Sequence, residues 1–466
     1  MQTINHLLVE HFRCPEPETE FVFPSANQGV PGFFRLGNLV CCGRSNTPGV
    51  VQNAEEPLHD VSVETRVGPE RCSVSFDPVE VVENLRRERY VSNGKSNGNW
   101  RERTSLAQSF YYLIRPLLPV LIRKHLQRHV LLPRLQTRFP KWPVDRTADQ
   151  LLETLLELSI KSQGLAVVPF IWFWPEGYSA AAIMTHDVET ESGLRFCSKL
   201  MDLDEKFHIP ASFQIIPEER YSVPKSLLAE MRERGFEINV HDLNHDGRLY
   251  WEQQSFLDRA KKINAYGRDL RAQGFRSGAL YRNLDWYDAL DFAYDMSVPN
   301  VAHLDPQPGG CCTVMPFFVG RVLELPVTTT QDYPLFHILG EYSTNLWERQ
   351  IQIIKAGHGL VSIIAHPDYL QEKRAQKTYM ELLAHLAQLR SDESLWIALP
   401  GEISSWWRLR SRLQLVHENG DWRIEGPGAE RARIAYARLD ENGLHFQLPT
   451  HDGPSEAVER TVQSLA

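Results

Sequence analysis

The chain has 466 residues, of which 42% are hydrophobic and 23% are charged, a composition that excludes wholesale disorder. This length is sufficient for two or three domains. The net charge of −9 argues against broad nucleic-acid binding, which requires a basic face.

The N-terminus lacks the basic segment, the long apolar stretch and the small-residue cleavage site of a secretory signal, so we expect a cytoplasmic protein. The seven cysteines agree with this expectation. Cys41-Cys42 and Cys311-Cys312 are adjacent in sequence, which disfavours disulfides within each pair and does not match the C-x2-C spacing of a structural zinc site. We therefore expect reduced thiols that are partly packed in the core.

Residues 1–105 form an irregular or β-rich N-terminal region, because glycines repeatedly interrupt short apolar runs. A short helix is predicted over Val79–Arg89, with Asp77 and Pro78 as its start signal.

Residues 106–175 are predicted to be a helical connecting segment. Its first part, Leu106–Leu135, is apolar and basic, and its charged side chains exclude an ordinary membrane span. Two interpretations remain, a helical pair packed against the main domain or an interfacial segment on an anionic membrane. Packing is favoured because amphipathic stripes usually face a core, so membrane contact through 106–135 is the second interpretation. A further helix is predicted over 147–163, starting near Thr147 or Asp149.

Strand-like and helix-like segments alternate across residues 176–410, which predicts βα units and a mostly parallel sheet or barrel with helices outside. The predicted strands are Ala180–Met184, Ala211–Ile216, Glu237–Val240, Leu360–Ala365 and Leu395–Leu399. The predicted helices are Pro224–Arg234, Trp251–Gln273, Tyr342–Ala356 and Gln376–Leu389.

Residues 411–466 are predicted to form a small antiparallel β appendage and a tail. Four short strand candidates occur there, and two of the turns between them contain Asn-Gly, the strongest short hairpin signal. The candidates are Arg412–Val416, Trp422–Glu425, Ile434–Arg438 and Leu444–Leu448.

Polar clusters follow three of the predicted strands of the 176–410 region. The first is Thr185-His186-Asp187-Val188-Glu189. Residues at i and i+2 of an extended chain share a face, so Asp187 and Glu189 can point into one site while Val188 packs away. Two carboxylates on one face are useful if one binds a metal and the other handles protons.

The second cluster follows Glu237–Val240 and contains His241 and His245. A His-x3-His spacing brings two imidazoles together if the segment coils into a helical turn, which suits two ligands of one metal. One carboxylate and two histidines would complete the three protein ligands of a catalytic zinc ion with an open water position. The third cluster is His366-Pro367-Asp368-Tyr369, and beside a metal site His366 becomes a candidate general acid.

The order of these motifs resembles the polysaccharide deacetylases of carbohydrate esterase family four, also called the NodB-homology family. The resemblance covers about Ile183 to Trp407, and Asp187-Val188-Glu189 stands where that family usually has Asp-Asp-Gly. The His-x-x-x-His motif matches at His241 and His245, and the late motif matches at His366. The Arg-x-Pro-x-Gly motif is matched only in part, from Arg276, because its proline is absent, and Asp295 falls at a loose fourth match.

The resemblance implies a distorted (β/α) barrel of about seven strands that binds a divalent metal ion, with zinc the expected one. By this resemblance Asp187 is the general base, His241 and His245 are metal ligands and His366 is the general acid. The third ligand would be Glu189, although Asp187 could bind the metal instead. Arg276 or Asp295 would keep the general base and the general acid in their charged states and would orient their side chains.

The implied activity is removal of acetyl from an N-acetylated sugar or polysaccharide in a cytoplasmic or membrane-facing pathway. The alternative is a catalytically silent carbohydrate-binding or scaffold protein of the same fold. The sequence does not specify the sugar or the oligomeric state.

Overall fold

The computed structural model describes residues 3–23, 29–91 and 120–449. Most of the predicted membrane-contact segment 106–135 lies outside the described residues, and its described part begins at Val120. No helix within these ranges is both long and apolar enough to cross a membrane.

The described strands and helices are numbered here in chain order. The strands are β1 (Glu20–Val22), β2 (Val30–Leu36), β3 (Leu39–Ser45), β4 (Arg66–Gly68), β5 (Arg71–Ser73), β6 (Val167–Ile171), β7 (Ala180–Val188), β8 (Ala211–Ile215), β9 (Glu237–His241), β10 (Gly274–Arg276), β11 (Tyr294–Asp295), β12 (Phe317–Val319), β13 (Val322–Glu324), β14 (Leu360–Ile364), β15 (Leu395–Ile397), β16 (Gln414–Glu418), β17 (Asp421–Glu425), β18 (Ile434–Asp440) and β19 (Gly443–Gln447). The α-helices are α1 (Ile4–Phe12), α2 (Pro78–Arg86), α3 (Val120–Leu131), α4 (Thr147–Ser162), α5 (Glu191–Lys206), α6 (Lys225–Glu233), α7 (Gln253–Asp269), α8 (Asn345–Ala356), α9 (Lys373–Ser391) and α10 (Pro400–Arg410).

The chain divides into two compact units. The first comprises Met1–Tyr90, Arg146–Tyr178 and Ser405–Ala466, and the second comprises Val91–Asp145 and Ser179–Ser404. The four-part division expected from the sequence stays a prediction.

The first unit is built from small sheets around the buried face of α4. It contains the β2–β3 hairpin, a sheet ordered β1-β5-β4, a sheet ordered β19-β18-β6 and the β16–β17 hairpin. The β-rich character of the N-terminal region and the antiparallel C-terminal strands are confirmed. One C-terminal strand, β18, also pairs with β6. In the β16–β17 turn Asn419 and Gly420 both have positive φ, as the Asn-Gly signal predicts.

The second unit contains one curled sheet of nine strands. Its order is β12-β13-β11-β10-β9-β8-β7-β14, and β15 pairs with β7 at the beginning of that strand. Every pairing in this sheet is parallel except β12 with β13. The predicted distorted (β/α) barrel is therefore confirmed, with eight parallel strands and one antiparallel strand.

The chain that follows β13 runs beside β14 and narrows the gap between the ends of the curled sheet. The hydroxyls of Thr328 and Thr329 donate to the carbonyls of Leu360 and Ser362 at 2.7 and 2.8 Å, and the Ser362 amide donates back to the Thr328 hydroxyl. Hydrogen bonds from threonine side chains therefore replace part of the backbone hydrogen bonding that would close the barrel.

The core of the second unit lies between the sheet and its helices. Alternate residues of β7, such as Ala182 and Met184, pack there with Trp347 of α8 and Leu382 of α9. Because side chains alternate along a strand, Thr185 and Asp187 point to the opposite face, which is the interior of the barrel.

The predicted strands and helices of the 176–410 region are all present, with ends shifted by a few residues. The sequence analysis missed β10 to β13, which have two or three residues each, and the helices α5 and α10. Strands this short do not show a hydrophobic period, whereas α5 has a polar, charged surface and a buried stripe that begins only at Gly193.

All seven cysteines are free, and all except Cys42 are buried. Burial raises the pKa of Cys14 and Cys41 to about 12, so these thiols are protonated and unreactive at neutral pH. The expectation of reduced thiols that pack in the core agrees with this arrangement.

Candidate active site

The candidate site lies at the carboxyl ends of neighbouring parallel strands. Asp187 is near the end of β7, His241 ends β9, Arg276 ends β10 and His366 follows β14 by two residues. The carboxyl ends of parallel strands meet at one edge of a sheet or barrel, where functional groups of such folds gather. Separate sequence motifs are thus brought to one place by the topology.

Glu189, His241 and His245 form a cluster of three potential metal ligands. One ligand atom from each residue lies within 4.8 Å of the others. Oε1 of Glu189 is 3.1 Å from Nε2 of His245. Two imidazoles and one carboxylate are the donor set of many catalytic zinc sites.

The hydrogen bonding of His241 leaves one ring nitrogen available for a metal. Its Nδ1 lies 3.1 Å from the Arg276 carbonyl, which can only accept, so Nδ1 carries the proton. Nε2 then holds a lone pair, and it is buried without a hydrogen-bond partner among the described residues. A backbone carbonyl that fixes the tautomer of a histidine in this way is typical of metal ligands. The residues present therefore fit a divalent cation.

The two histidines meet through a bent loop. Asp242 and His245 both have positive φ, at 57° and 55°, so the segment is not the helical turn that the sequence analysis considered. Gly278 makes the close approach possible, because a Cβ there would lie 2.6 Å from Oδ2 of Asp242 and 2.9 Å from Cδ2 of His245. The ring centroids of His241 and His245 are 4.9 Å apart.

Asp187 is held by Arg276 in the barrel interior. Nη1 of Arg276 donates to Oδ1 of Asp187 at 2.7 Å and to the Thr185 hydroxyl at 2.8 Å, and the guanidinium is fully buried. The second oxygen of Asp187, Oδ2, is 3.9 Å from Nε2 of His241. One oxygen is thus tied to an arginine while the other lies beside the ligand cluster.

Glu189 lies just beyond the end of β7. Residues that follow β14 hold it in position. Its backbone amide donates to Oδ2 of Asp368 at 3.1 Å. The Tyr369 hydroxyl is 3.4 Å from Oε2 of Glu189. Val188, between the two acids, packs in the core as predicted.

His366 is oriented by Asp332, a residue that the sequence analysis did not single out. Nδ1 of His366 is 2.6 Å from Oδ1 of Asp332, and the His366 backbone amide donates to Oδ2 at 2.7 Å. Nε2 of His366 points toward the cluster, 3.8 Å from Oε1 of Glu189. Asp332 follows Val327-Thr328-Thr329-Thr330, a β-branched run that was a recognisable signal for a strand-like segment ending in an acid.

Asp295 is placed elsewhere in the barrel. Its carboxylate accepts hydrogen bonds from the Tyr287 hydroxyl and from the amide and hydroxyl of Ser297. Within the described residues its hydrogen bonds include neither Arg276 nor His366. The Ser297 hydroxyl in turn accepts from the Ser277 amide, so Asp295 supports the loop after Arg276 indirectly.

The charges of the site are set by burial and by neighbours. Burial lowers the pKa of His241 to about 4, so this ring is neutral at pH 7. Burial opposes the charge of Asp187, but Arg276 and then His241 hold the pKa of Asp187 below its usual value. Burial likewise opposes the charge of His366, yet the Asp332 carboxylate raises the pKa of His366 to about 10. The site therefore contains an ionised carboxylate and a protonated imidazole on either side of the ligand cluster.

No family model matches the sequence, and no curated protein matches it. Solved structures are similar to part of this chain. A structure described as a polysaccharide deacetylase from Mycobacterium smegmatis is 16% identical with a TM-score of 0.42, covering 53% of this chain and 97% of that one. Puue allantoinase is 13% identical with a TM-score of 0.40, covering 50% and 92%.

A third structure, described as a polysaccharide deacetylase from Pseudomonas aeruginosa PAO1, is 13% identical with a TM-score of 0.39 and covers 50% of this chain and 91% of that one. At such identities the similarities assign no role to any residue.

Proposed function

We propose that this protein is a metal-dependent hydrolase that removes acetyl from an N-acetylated sugar or polysaccharide. The observation that carries the proposal is the lone pair on Nε2 of His241, which is buried, without a hydrogen-bond partner in the described residues, and beside Glu189 and His245. Buried polar atoms are rarely left unpaired, and a cation would satisfy this one.

Glu189, His241 and His245 would hold the cation, with zinc the expected ion. When bound, a divalent ion supplies a polarised acyl oxygen and a water of lowered pKa. The neutral state of His241 suits this role, because a protonated imidazole cannot bind a metal.

Asp187 and His366 would carry the proton transfers. Oδ2 of Asp187 takes the proton of the attacking water, while Arg276 keeps the carboxylate ionised and oriented through Oδ1. Nε2 of His366 donates its proton to the departing amine nitrogen. Asp332 keeps the imidazole protonated for that step and fixes its direction through Nδ1.

The test combines metal content with acetate release. Purified wild-type protein should contain a stoichiometric divalent metal and should release acetate from some member of a panel of N-acetylated oligosaccharides. His241→Ala should lose both the metal and the activity, whereas His6→Ala, at an exposed histidine of α1, should lose neither. Acetate release that persists at the wild-type rate in His241→Ala would refute the proposal.

The second candidate is a catalytically silent carbohydrate-binding protein. It is favoured by two departures from the deacetylase motifs, Val188 in place of the second Asp of the first motif and Gly278 in place of the proline of the third. Metal that is retained without turnover on the whole panel would support this candidate.

A further inference from the structure

Glu189 lies outside the regular hydrogen bonding of its strand. The last pair of the β7–β8 ladder joins Val188 and Ile215, so the ladder does not fix the residue that follows. The Val188 carbonyl accepts from the Tyr221 hydroxyl at 2.6 Å, and the chain then enters α5, which begins at Glu191. A metal ligand has to be held within about 0.5 Å of its productive position. The placement of Glu189 therefore depends on contacts from outside β7.

The carboxylate of Asp368 supplies contacts of this kind. Its Oδ2 accepts from the Glu189 amide at 3.1 Å, and its Oδ1 accepts from the Thr190 hydroxyl. Thr190 is also the N-cap of α5, because its hydroxyl accepts from the Gly193 amide at 3.3 Å. One carboxylate thus holds the two successive residues that connect β7 to α5.

The space for this carboxylate exists because residue 193 is a glycine. A Cβ at Gly193 would lie 2.3 Å from Oδ2 of Asp368 and 2.6 Å from its Cγ, well inside van der Waals contact. Gly193 lies in the first turn of α5, where helix propensity would favour alanine. The sequence therefore keeps a poor helix former at the position where the Asp368 carboxylate meets the helix.

The next residue of the same segment contacts the side chain of Glu189. The Tyr369 hydroxyl lies 3.4 Å from Oε2 of Glu189, whereas Oε1 lies 3.1 Å from Nε2 of His245. The two carboxylate oxygens thus face different partners, and Oε1 is the one directed to the ligand cluster. The candidate general acid, His366, belongs to the same short segment after β14. This segment therefore carries the general acid and also holds the third candidate ligand.

We propose that Asp368 is a positioning residue of the metal centre, which fixes the backbone at Glu189 so that Oε1 is presented beside the two histidines of the cluster. The inference rests on the proposed function and adds to it a residue that itself binds neither metal nor substrate. Partners that orient a metal ligand typically contribute about 10- to 100-fold to metal affinity. A carboxylate that only stabilised the start of α5 would have no effect that depends on Glu189.

Metal affinity tests the proposal without any activity measurement. Cobalt(II) and zinc dissociation constants of the full-length protein are measured by titration, and the cobalt absorption spectrum reports the geometry of the ligands. Asp368→Asn keeps the size of the side chain but offers one acceptor oxygen where two are used. It should weaken cobalt binding by about 10- to 100-fold and alter the spectrum, while circular dichroism shows that the variant is folded.

Gly193→Ala reaches the same carboxylate from the helix and also tests the proposal if Asp368→Asn does not fold. The added Cβ would displace Asp368 and would leave every hydrogen-bonding side chain in place, so it should weaken cobalt binding by a similar factor. Ser192→Ala is the matched control. The Ser192 hydroxyl donates to Oε1 of Gln371 at 2.9 Å and joins the same two segments, but it makes no hydrogen bond to Glu189 among the described residues. Ser192→Ala should bind cobalt like wild type.

A double variant separates positioning from a general loss of structure. In Glu189→Ala, where the two histidines remain as ligands, adding Asp368→Asn should not change the cobalt dissociation constant further, because the residue that it positions is gone. An equal loss of affinity from Asp368→Asn in both backgrounds would overturn the proposal. An equal loss in Ser192→Ala, or wild-type affinity in Gly193→Ala, would also overturn it.

The same titrations distinguish this proposal from the proposed function. Wild-type protein that binds neither cobalt nor zinc would overturn both. Metal binding by wild type that Asp368→Asn leaves unchanged would overturn the positioning role alone, and the proposed metal ligands would stand.

Discussion

At the scale of single residues, Asp332 determines the protonation state of His366. It binds both the ring and the backbone of His366, at 2.6 and 2.7 Å, and is itself fully buried. A buried carboxylate so close to an imidazole stabilises the protonated ring, which is the form that a general acid requires.

Asp332→Asn should lower the pKa of His366 from about 10 and thereby reduce activity at alkaline pH. An acid catalyst works only while it is protonated, so activity falls as pH rises through its pKa. The variant should move that fall to lower pH and cost about 10²- to 10⁴-fold in kcat/KM at pH 8. A pH–rate profile measures both effects. Asp295→Asn is the control, because Asp295 has no hydrogen bond to His366 among those described, and a profile that Asp332→Asn leaves unmoved would contradict the assignment.

At the scale of secondary-structure elements, β7 presents chemistry on both of its faces. Asp187 points into the barrel, while its neighbour His186 points toward the helices. Nδ1 of His186 lies 2.9 Å from the Ala365 carbonyl and Nε2 lies 2.9 Å from Oδ2 of Asp204, to which Tyr379 also donates. This buried group joins β7, α5 and α9 directly behind the backbone that carries His366.

His186→Phe should destabilise the protein by about 3 kcal/mol, because it leaves the buried Asp204 without its ring partner. His186→Phe/Asp204→Leu/Tyr379→Phe should recover most of the loss, since replacing all three partners removes the unpaired charge and the hydroxyl that donates to it. Urea denaturation followed by fluorescence measures the stability of each variant. Equal stability of the single and triple variants would show that the charge of Asp204 is not the cause.

The parallel pairing of β11 with β13 places two acids opposite each other, Asp295 and Glu324. Both are fully buried, and burial, followed by the charge of Asp295, raises the pKa of Glu324 well above its usual value. Glu324 therefore binds its proton more tightly in the folded chain than in the unfolded chain.

Stability should consequently fall as pH rises above about 4.3, the ordinary pKa of glutamate, because the unfolded chain gives up this proton first. Glu324→Gln removes the ionisation and should flatten the loss of stability between about pH 5 and pH 8, by about 1.4 kcal/mol for each unit of pKa shift. Urea titrations at several pH values test this against Glu381→Gln, whose side chain is 50% exposed. The same pH dependence in Glu324→Gln and wild type would contradict the expectation.

At the scale of the whole molecule, the proposed cation would tie together parts of the barrel that are distant in sequence. Glu189 follows β7, whereas His241 and His245 belong to β9 and the loop after it. A ligand that binds only the folded chain stabilises it by an amount set by its concentration relative to its dissociation constant.

Zinc at 100 times its dissociation constant should stabilise the wild-type protein by about 2.7 kcal/mol, and a chelator should remove this gain. Differential scanning calorimetry with zinc and with chelator measures the shift in Tm. His241→Ala should show no shift, while His6→Ala should behave like wild type. A zinc-dependent shift of full size in His241→Ala would mean that the metal binds elsewhere.

Local pattern was sufficient for much of the second unit. The long apolar runs of β7, β8, β9 and β14 and the amphipathic helices between them follow from hydrophobic periodicity, and their alternation implies parallel strands. The same rule explains why His241 and His366 lie at one edge of the sheet although 124 residues lie between them in the sequence. The carboxyl ends of parallel strands meet at one edge of the sheet, so the sequence implied that the polar residues after these strands would lie close together.

The partners of those residues were decided by tertiary structure. Asp332 reaches His366 only because the threonine-rich segment after β13 lies along β14. Asp295 lies opposite Glu324 because of the register between β11 and β13. The close approach of Gly278 to His245 has the same origin. Periodicity along a chain specifies which face of an element is apolar, whereas the pairing of side chains depends on the relative placement of elements, which no local pattern contains.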